Sequence, residues 1–531
     1  MLLIASQNYL VRFCIDWKFK KGKTEATKYI MRYLARITKR NKALSTPSGN
    51  PLVSPDGKMI AALEDRVLSS NPLLETFGNA QTLRNDNSSR FGKFIHIFFS
   101  TKTGTITGAS ISNYLLEKTR ITQQVEGERN YHIFYQLLAS VEDPILSGLG
   151  LEGGPAMFNY LGNRDSESKS DDKAAFEETC ECLNQIGISY DDQKIVFGLA
   201  AGILHLGNVK FDEKGEDGEP GETEHAIISP DSKETFEKAC ELLGLKQEEV
   251  SDAILTKNIT VGGKIIKKAQ TAAMAAEKRD ALAKMTYSCI FEWLVSCVNE
   301  TLDRTSQTRS NITTRRSPSS KLKKFGEDVD VNVFIGVLDI YGFECFQQNG
   351  YEQLLINYCN EKLQRQFNEN VFTVEQNLYS SEGIDWTYIT FNDNRPCLDL
   401  IEGGGGIVGI LSTLDDAWGG MGSSSEKDVK FVNQLHKLFG TTKGTEMKKQ
   451  SNDDEHNQLP KDQARDYFVT PKFGMDNQFI VIHFAGEVCI LCLWAPKYIF
   501  EMQKMCALII FGCCFRFRTL WMALLKRTWN L

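Results

Sequence analysis

The stretch from Val331 to Phe346, VNVFIGVLDIYGFECF, constrains the fold more than any other part of the chain. Val331, Val333, Phe334, Ile335, Val337 and Leu338 form a near-continuous apolar run. That is the pattern of a strand buried on both faces, as in a parallel α/β sheet. The run stops at Asp339, and Gly342 follows three residues later. An acidic residue at the carboxyl end of a buried strand, then a glycine that lets backbone approach a ligand, is one way nucleotide sites hold magnesium and a terminal phosphate. A buried strand ending in an ordinary turn uses the same residues, so this stretch alone leaves both readings open.

A second stretch decides between them. Asn85–Lys93 reads NDNSSRFGK, with small polar residues ahead of Arg90 and an apolar run, Phe94–Phe99, broken only by His96. Alone it is a polar loop leading into a strand. In this order, NxNSSRFGK and DIxGFE resemble switch I and switch II of the myosin motor head. The resemblance continues through LLETFGNAQTLRNDNSSRFGKFI (73–95), YLLEKTRI and GERNYHIFYQLL (within 114–138), GILHLGNVKF (202–211), RDALAK (279–284), EQLLINYCNEKLQRQFN (352–368), EGIDW (382–386) and FAGEV (484–488). It covers about residues 22–489, a partial motor domain between an atypical N-terminal segment, 1–21, and an atypical apolar C-terminal segment, 490–531.

The resemblance implies an α/β fold of the P-loop NTPase type, with a mostly parallel or mixed central sheet surrounded by many helices. It implies an actin-activated Mg-ATPase that couples hydrolysis to movement, with ATP and Mg2+ as cofactors and the actin filament as partner, on the cytoplasmic cytoskeleton. Gly22, Lys23, Thr24, Glu25, Asn85, Ser88 and Ser89 are expected to bind nucleotide. Thr24 and Ser89 would ligate Mg2+, with Asp339 behind it. Ser88, Arg90, Gly342 and Glu344 carry the catalytic roles: Gly342 offers its amide to the γ-phosphate, and Arg90 and Glu344 pair to close the site around the attacking water. This is positioning and electrostatic stabilisation, as phosphoryl transfer requires.

The phosphate loop departs from its pattern. G-x-x-x-x-G-K-S/T makes an anion nest from successive backbone amides. Here Gly22, Lys23 and Thr24 match, but Trp17 stands at the first glycine and Lys20 at the family's inner glycine. Neither tolerates the positive φ and close phosphate approach that glycine does. Little turnover is therefore expected, and an actin-binding remnant without turnover is the alternative. The helix that follows, 24–37, shows Ile30, Leu34 and Ile37 on one face, with the phosphates at its N-terminus.

The remaining segments fall into place around these. Thr38–Lys58 reads as a surface loop, and Leu63–Ala80 as a helix leading to switch I. Val261–Lys268, VGGKIIKK, resembles an actin-touching loop of the upper cleft and also reads as a plain basic hairpin. Thr271–Leu302 reads as one long helix with a stripe of Leu282, Met285, Cys289, Trp293 and Cys297. In Tyr351–Ser381, Leu355, Cys359, Leu363, Phe367 and Val371 recur every fourth residue, which predicts a long helix ended near Gly383; the resemblance makes it the relay helix. Ile410–Leu438 resembles the helix-loop-helix of the lower cleft.

Composition sets outer limits. With 531 residues, 42% hydrophobic and 24% charged, the chain is an ordinary globular one with room for several cores. A net charge of −7 argues against general nucleic-acid binding. The 14 cysteines are mostly scattered and read as reduced cytosolic thiols. The apolar first residues lack a basic n-region and the length of a span, and Cys506–Phe515 is too short to cross a bilayer. No segment after Cys489 resembles a converter or lever arm, so tail and light-chain partners are not expected here, nor filament gliding by this chain.

Overall fold

The computed structural model describes residues 2–3, 12–13, 27–34, 36–38, 63–83, 85–100, 106–162, 171–214, 225–261, 264–302, 333–339, 342–346, 349–404, 407–419, 424–440, 464–471 and 477–491. They fall into two compact units divided between Ile340 and Tyr341. The phosphate-loop residues Gly22, Lys23, Thr24 and Glu25 lie outside the described residues, as do Trp17, Lys20 and the segment from residue 492 onward.

In the first unit, helix α1 (27–34) buries Thr27 and Met31, with Ile30 and Leu34 half-buried beside them. The expected Ile30–Leu34–Ile37 face is thus the margin of the buried side. Helix α2 (Leu63–Gly78) stops two residues short of Ala80, because Asn79 and Ala80 already pair in a hairpin. That hairpin joins β1 (Asn79–Thr82) to β2 (Asn85–Ser89). Strands β3 (Gly92–Phe99) and β4 (Ile106–Tyr114) pair antiparallel along their length. Helices α3 (His132–Ala139), α4 (Asp172–Ile186) and α5 (Tyr190–Gly207) follow. Asp171 caps α4 by accepting from the amides of Lys173 and Ala174, both at 3.1 Å. Strands β5 (Phe211–Lys214) and β6 (His225–Ile228) make a small ladder, followed by helices α6 (Lys233–Leu243) and α7 (Gln247–Leu255). Strands β7 (Thr256–Val261) and β8 (Lys264–Ala269) turn the VGGKIIKK region into two arms of a hairpin.

Helix α8 (Ala272–Leu302) is the axis of this unit's core. Tyr287, Phe291, Leu294, Val298 and Leu302 are fully or nearly fully buried, among Leu74 and Phe77 of α2 and Phe134 of α3. The stripe expected from sequence is only one flank: Leu282 and Met285 are buried, but Cys289, Trp293 and Cys297 are half-buried. A helix enclosed on most sides has no single apolar stripe to read. By length and composition α8 is the one described helix apolar enough to cross a membrane, yet its apolar residues pack into the core.

Strand β9 (Val333–Asp339) confirms the buried apolar run as a strand, but its partner runs the other way. The sheet order is β9-β3-β4, and every strand ladder among the described residues is antiparallel. Apolarity on both faces reports burial, not direction. Here one face carries Ile95 and Ile97, and the other a row of Phe94, His96, Phe98 and Phe334 rings.

Among the described residues the second unit begins with the DIYGFE motif's Gly342 and includes helix α9 (Tyr351–Asn368), a π-helical turn at Glu369–Val374, and helix α10 (Glu375–Ser381). Gly383, with φ of 68°, ends the run. Helices α11 (Arg395–Glu402), α12 (Ile410–Gly419) and α13 (Ser424–Phe439) pack with α9 and with strands β10 (Phe468–Val469), β11 (Gln478–His483) and β12 (Gly486–Leu491). Leu354, Leu400, Phe431, Leu435, Phe479 and Val481 are buried in this second core.

The long helix expected over Tyr351–Ser381 is present, interrupted only by its π turn, but the residues that recur every fourth position do not mark its buried face. Leu355, Cys359, Leu363 and Phe367 are half-buried and Val371 is exposed, whereas Leu354, Ile356, Asn357, Asn360 and Glu361 are buried. Each four-residue step overshoots a full turn by about 40°, so a strict fourfold repeat drifts around the helix instead of holding one face.

Candidate functional site

The switch I region is built by tight local constraints. Thr82 and Asn85 close the β1–β2 turn: the Thr82 hydroxyl donates to the Asn85 carbonyl at 3.1 Å and accepts from the Asn85 amide at 3.2 Å. Gly78, just before the hairpin, faces the Phe91 ring so closely that a Cβ would sit 2.4 Å from it. The Arg90 amide then donates to the Gly78 carbonyl at 2.8 Å, which folds the end of switch I back on the end of α2. Ser89 gives its hydroxyl proton to the Phe91 carbonyl at 2.9 Å, so that its oxygen keeps its capacity to accept or to ligate.

Arg90 is one of the largest fully buried side chains. Its Nε donates to Glu117 Oε2 at 2.7 Å and its Nη1 lies 3.4 Å from the Ser88 hydroxyl. The same Glu117 oxygen accepts from Arg120 Nε at 2.6 Å, and Arg120 Nη2 reaches Glu128 at 2.8 Å. Four buried charges therefore alternate in sign from Arg90 to Glu128. Burial alone would raise the Glu117 carboxyl, but Arg120 and then Arg90 overcome it and hold the group at about 2.

Asp339 sits directly opposite Lys93 in the β9–β3 register, beside switch I. Lys93 Nζ lies 3.5 Å from Asp339 Oδ2 and donates to Asn71 at 3.2 Å; Lys93 and Asp339 are both buried. Asp339 Oδ2 nevertheless receives no hydrogen bond. A buried carboxylate oxygen lacking a donor, at a strand end next to Ser89's motif, suits a metal-bound water that would donate to it. Asn85, Ser88 and Ser89 thus lie on the β1–β2 hairpin, Arg90 follows it, and Asp339 lies at the end of β9 in the adjoining three-stranded sheet, opposite Lys93 of the same NDNSSRFGK segment.

Gly342 and Glu344 belong to the second unit. Glu344 is buried, and Asn357 of α9 clamps its backbone at both ends: Asn357 Oδ1 accepts from the Glu344 amide at 2.9 Å and Nδ2 donates to its carbonyl at 2.7 Å. Asn349 repeats the device on Phe346, at 2.7 and 2.9 Å. Sequence reasoning passed over Glu117, Arg120, Glu128, Asn349 and Asn357. The local signal was the three-residue spacing of Glu117 and Arg120 in YLLEKTRI; Glu128 and Asn349 sit among other polar residues, in GERN and QQNG.

A family model of the myosin head (motor domain) matches residues 20–494. The chain belongs to the myosin motor-domain family. It is 36% identical over 470 residues to Myosin-4 of Saccharomyces cerevisiae, 37% over 469 to Myosin-15 of Arabidopsis thaliana, and 38% over 474 to Protein OPAQUE1 of Zea mays. Each match takes in 88% of this chain but only 27%, 26% and 26% of the respective relative, so the chain spans about a quarter of their length.

The second unit of this myosin head also holds the one group of metal-ligand types among the described residues: Glu361, Cys397 and His483, all buried. Glu361 Oε1 accepts from His483 Nδ1 at 3.0 Å and from the Phe484 amide at 2.9 Å, with the Cys397 thiol at 3.6 Å, while Asn394 donates to Oε2. Burial, and after it Glu361, push the Cys397 thiol up. His483 Nε2 has no partner, whereas a metal-bound imidazole normally gives its other N–H to an acceptor. The group is a hydrogen-bonded core node tying α9, α11 and β11 together.

Proposed function

We propose that this chain is the nucleotide- and filament-binding part of an actin-based motor, an actin-activated Mg-ATPase working on the cytoplasmic cytoskeleton. The carrying observation is the switch I end of the first unit: a buried, charge-locked Arg90 and, opposite Lys93 of the same segment, Asp339 with an oxygen that accepts no hydrogen bond. Bound Mg2+ would neutralise phosphate charge and template the terminal phosphate. Thr24 and Ser89 would hold it, with Asp339 accepting from its water. Gly22, Lys23, Thr24 and Glu25 form the phosphate cradle, and Lys23 offsets phosphate charge. Asn85 and Ser88 position the phosphates from the switch I side. The Gly342 amide donates to the γ-phosphate. Arg90 pairs with Glu344, and Glu344 orients the attacking water or relays its proton, while the Asn357 clamp fixes the backbone that carries it. Residues 22–489 act as the motor domain, with β9 inside a larger, mixed sheet. The Thr256–Ala269 hairpin and the α12–α13 pair supply the filament-facing surfaces, with weak, salt-sensitive attachment.

Trp17 and Lys20 fill the phosphate cradle's glycine positions. Steady-state phosphate release with and without actin filaments should therefore stay near background for the chain as its sequence reads. Trp17→Gly combined with Lys20→Gly should raise it and make it actin-responsive. Low-salt co-sedimentation with actin should succeed in both forms. Absence of turnover in the glycine form would remove the ATPase reading, and absence of co-sedimentation by folded chain would remove the filament-binding one.

A further inference from the structure

Three segments far apart in sequence meet at one carboxylate in the first unit. Lys28 lies in α1, just past the phosphate-loop residues. Glu75 lies in the last turn of α2, and Asn87 lies in the middle of switch I. Lys28 Nζ is 3.0 Å from Glu75 Oε1 and donates to Oε2 at 3.2 Å. Asn87 Nδ2 donates to the same Oε2 at 3.0 Å. Lys28 and Glu75 are largely shielded, with side-chain exposures of 21% and 12%.

The polarity of this junction is fixed by chemistry. A carboxylate only accepts, so the Asn87 amide must present its NH2 to Glu75 and its oxygen to the other side. There Asn87 Oδ1 accepts from Asn79 Nδ2 at 2.8 Å and faces His132 Nε2 at 3.1 Å. An amide oxygen accepts, so His132 carries a proton on Nε2. Burial lowers the imidazole to about 4, with Arg129 next, so at neutral pH it is the neutral Nε2–H tautomer that meets Asn87. The orientation of the Asn87 side-chain amide thus follows from the charge on Glu75.

We infer that Glu75 is a strut between the segment following the phosphate loop and switch I: a positioning residue whose Oε2 accepts from both Lys28 and Asn87 and so ties the two together. The inference deepens the nucleotide-site reading and takes its functional meaning from it. A displacement of α1 on phosphate binding reaches switch I through Lys28, Glu75 and Asn87, without passing through ligand. Backbone pairing of β1 with β2 holds the hairpin's shape; the strut sets where its exposed strand sits relative to α1.

The test needs no nucleotide, so its outcome is separate from that of the ATPase reading. Hydrogen exchange is followed by mass spectrometry on the full chain, in peptides covering 27–34 and 85–93, for Lys28→Met, Glu75→Gln, the double variant and Lys28→Arg. Lys28→Met should speed exchange at 85–89 by roughly two- to fivefold although Lys28 is not in that segment, the low end for groups sharing one partner. Glu75→Gln should do the same, the double variant should match Glu75→Gln alone, and Lys28→Arg should restore protection. An effect of Lys28→Met confined to 27–34, or additive effects of the two changes, would overturn the strut.

Discussion

A guanidinium and a carboxylate that both leave water must hold each other, and Arg90 and Glu117 do so with Arg120 as a second donor. Removing one member of such a set leaves charge buried without compensation, at a cost of about 3–5 kcal/mol. Glu117→Gln should lower stability by that order, read as a fall in urea midpoint. The pH dependence has a definite sign. Glu117 is depressed on folding, so its contribution is complete above its ordinary value of 4.5 and is lost as pH falls toward about 2. Over that window, the urea midpoint of the parent should fall more steeply than that of Glu117→Gln; parallel curves would show that the Glu117 charge is not held by its neighbours. Glutamine keeps the shape and one acceptor but not the charge, so the comparison isolates the ion pairs.

At the scale of elements, the interrupted helix of the second unit makes the clearest claim. The π turn at Glu369–Val374 holds one residue more than an α turn would, and α10 leaves it in a fixed rotation. In that rotation Gln376 accepts from the Ile389 amide at 2.6 Å and donates to its carbonyl at 3.2 Å, while Tyr379 meets Trp386 edge-on at 5.1 Å. Deleting Thr373 should restore a continuous α-helix and turn α10 by about 100°. Both contacts should be lost, and Trp386 emission, identified by difference against Trp386→Phe, should shift to the red; unchanged emission would mean that the turn carries no rotational information. Elements of this length were legible in sequence, as were the switch motifs, because repeating apolar residues and glycine stops declare them. Which face is buried was not: the α9 core side is lined by Asn357, Asn360 and Glu361, polar residues that only tertiary partners make tolerable. Strand direction was equally hidden, since Val333–Leu338 is apolar whichever way its neighbour runs. Asn357 is a single polar letter whose partner lies 13 residues away, and Glu117 has Arg120 three residues on but its other partner, Arg90, 27 residues back, beyond any local period.

At the scale of the molecule, the chain divides into two units, each with its own core, and the smaller core lies in the second. Each core contains a thiol sealed from solvent: Cys240 in the first, Cys397 in the second. Burial, and after it Glu237, raise the Cys240 thiol to about 12, and burial with Glu361 raises that of Cys397, so neither offers a reactive thiolate while its unit is closed. The Glu361 node therefore has a use unrelated to holding helices together: it makes Cys397 a silent chemical reporter that speaks only when its surroundings open. Pulses of a thiol alkylating reagent along a urea gradient, read peptide by peptide, would date the opening of each unit separately. The smaller core should yield first, with Cys397 labelled at lower urea than Cys240. Identical midpoints would mean instead that the two halves come apart as a single cooperative body.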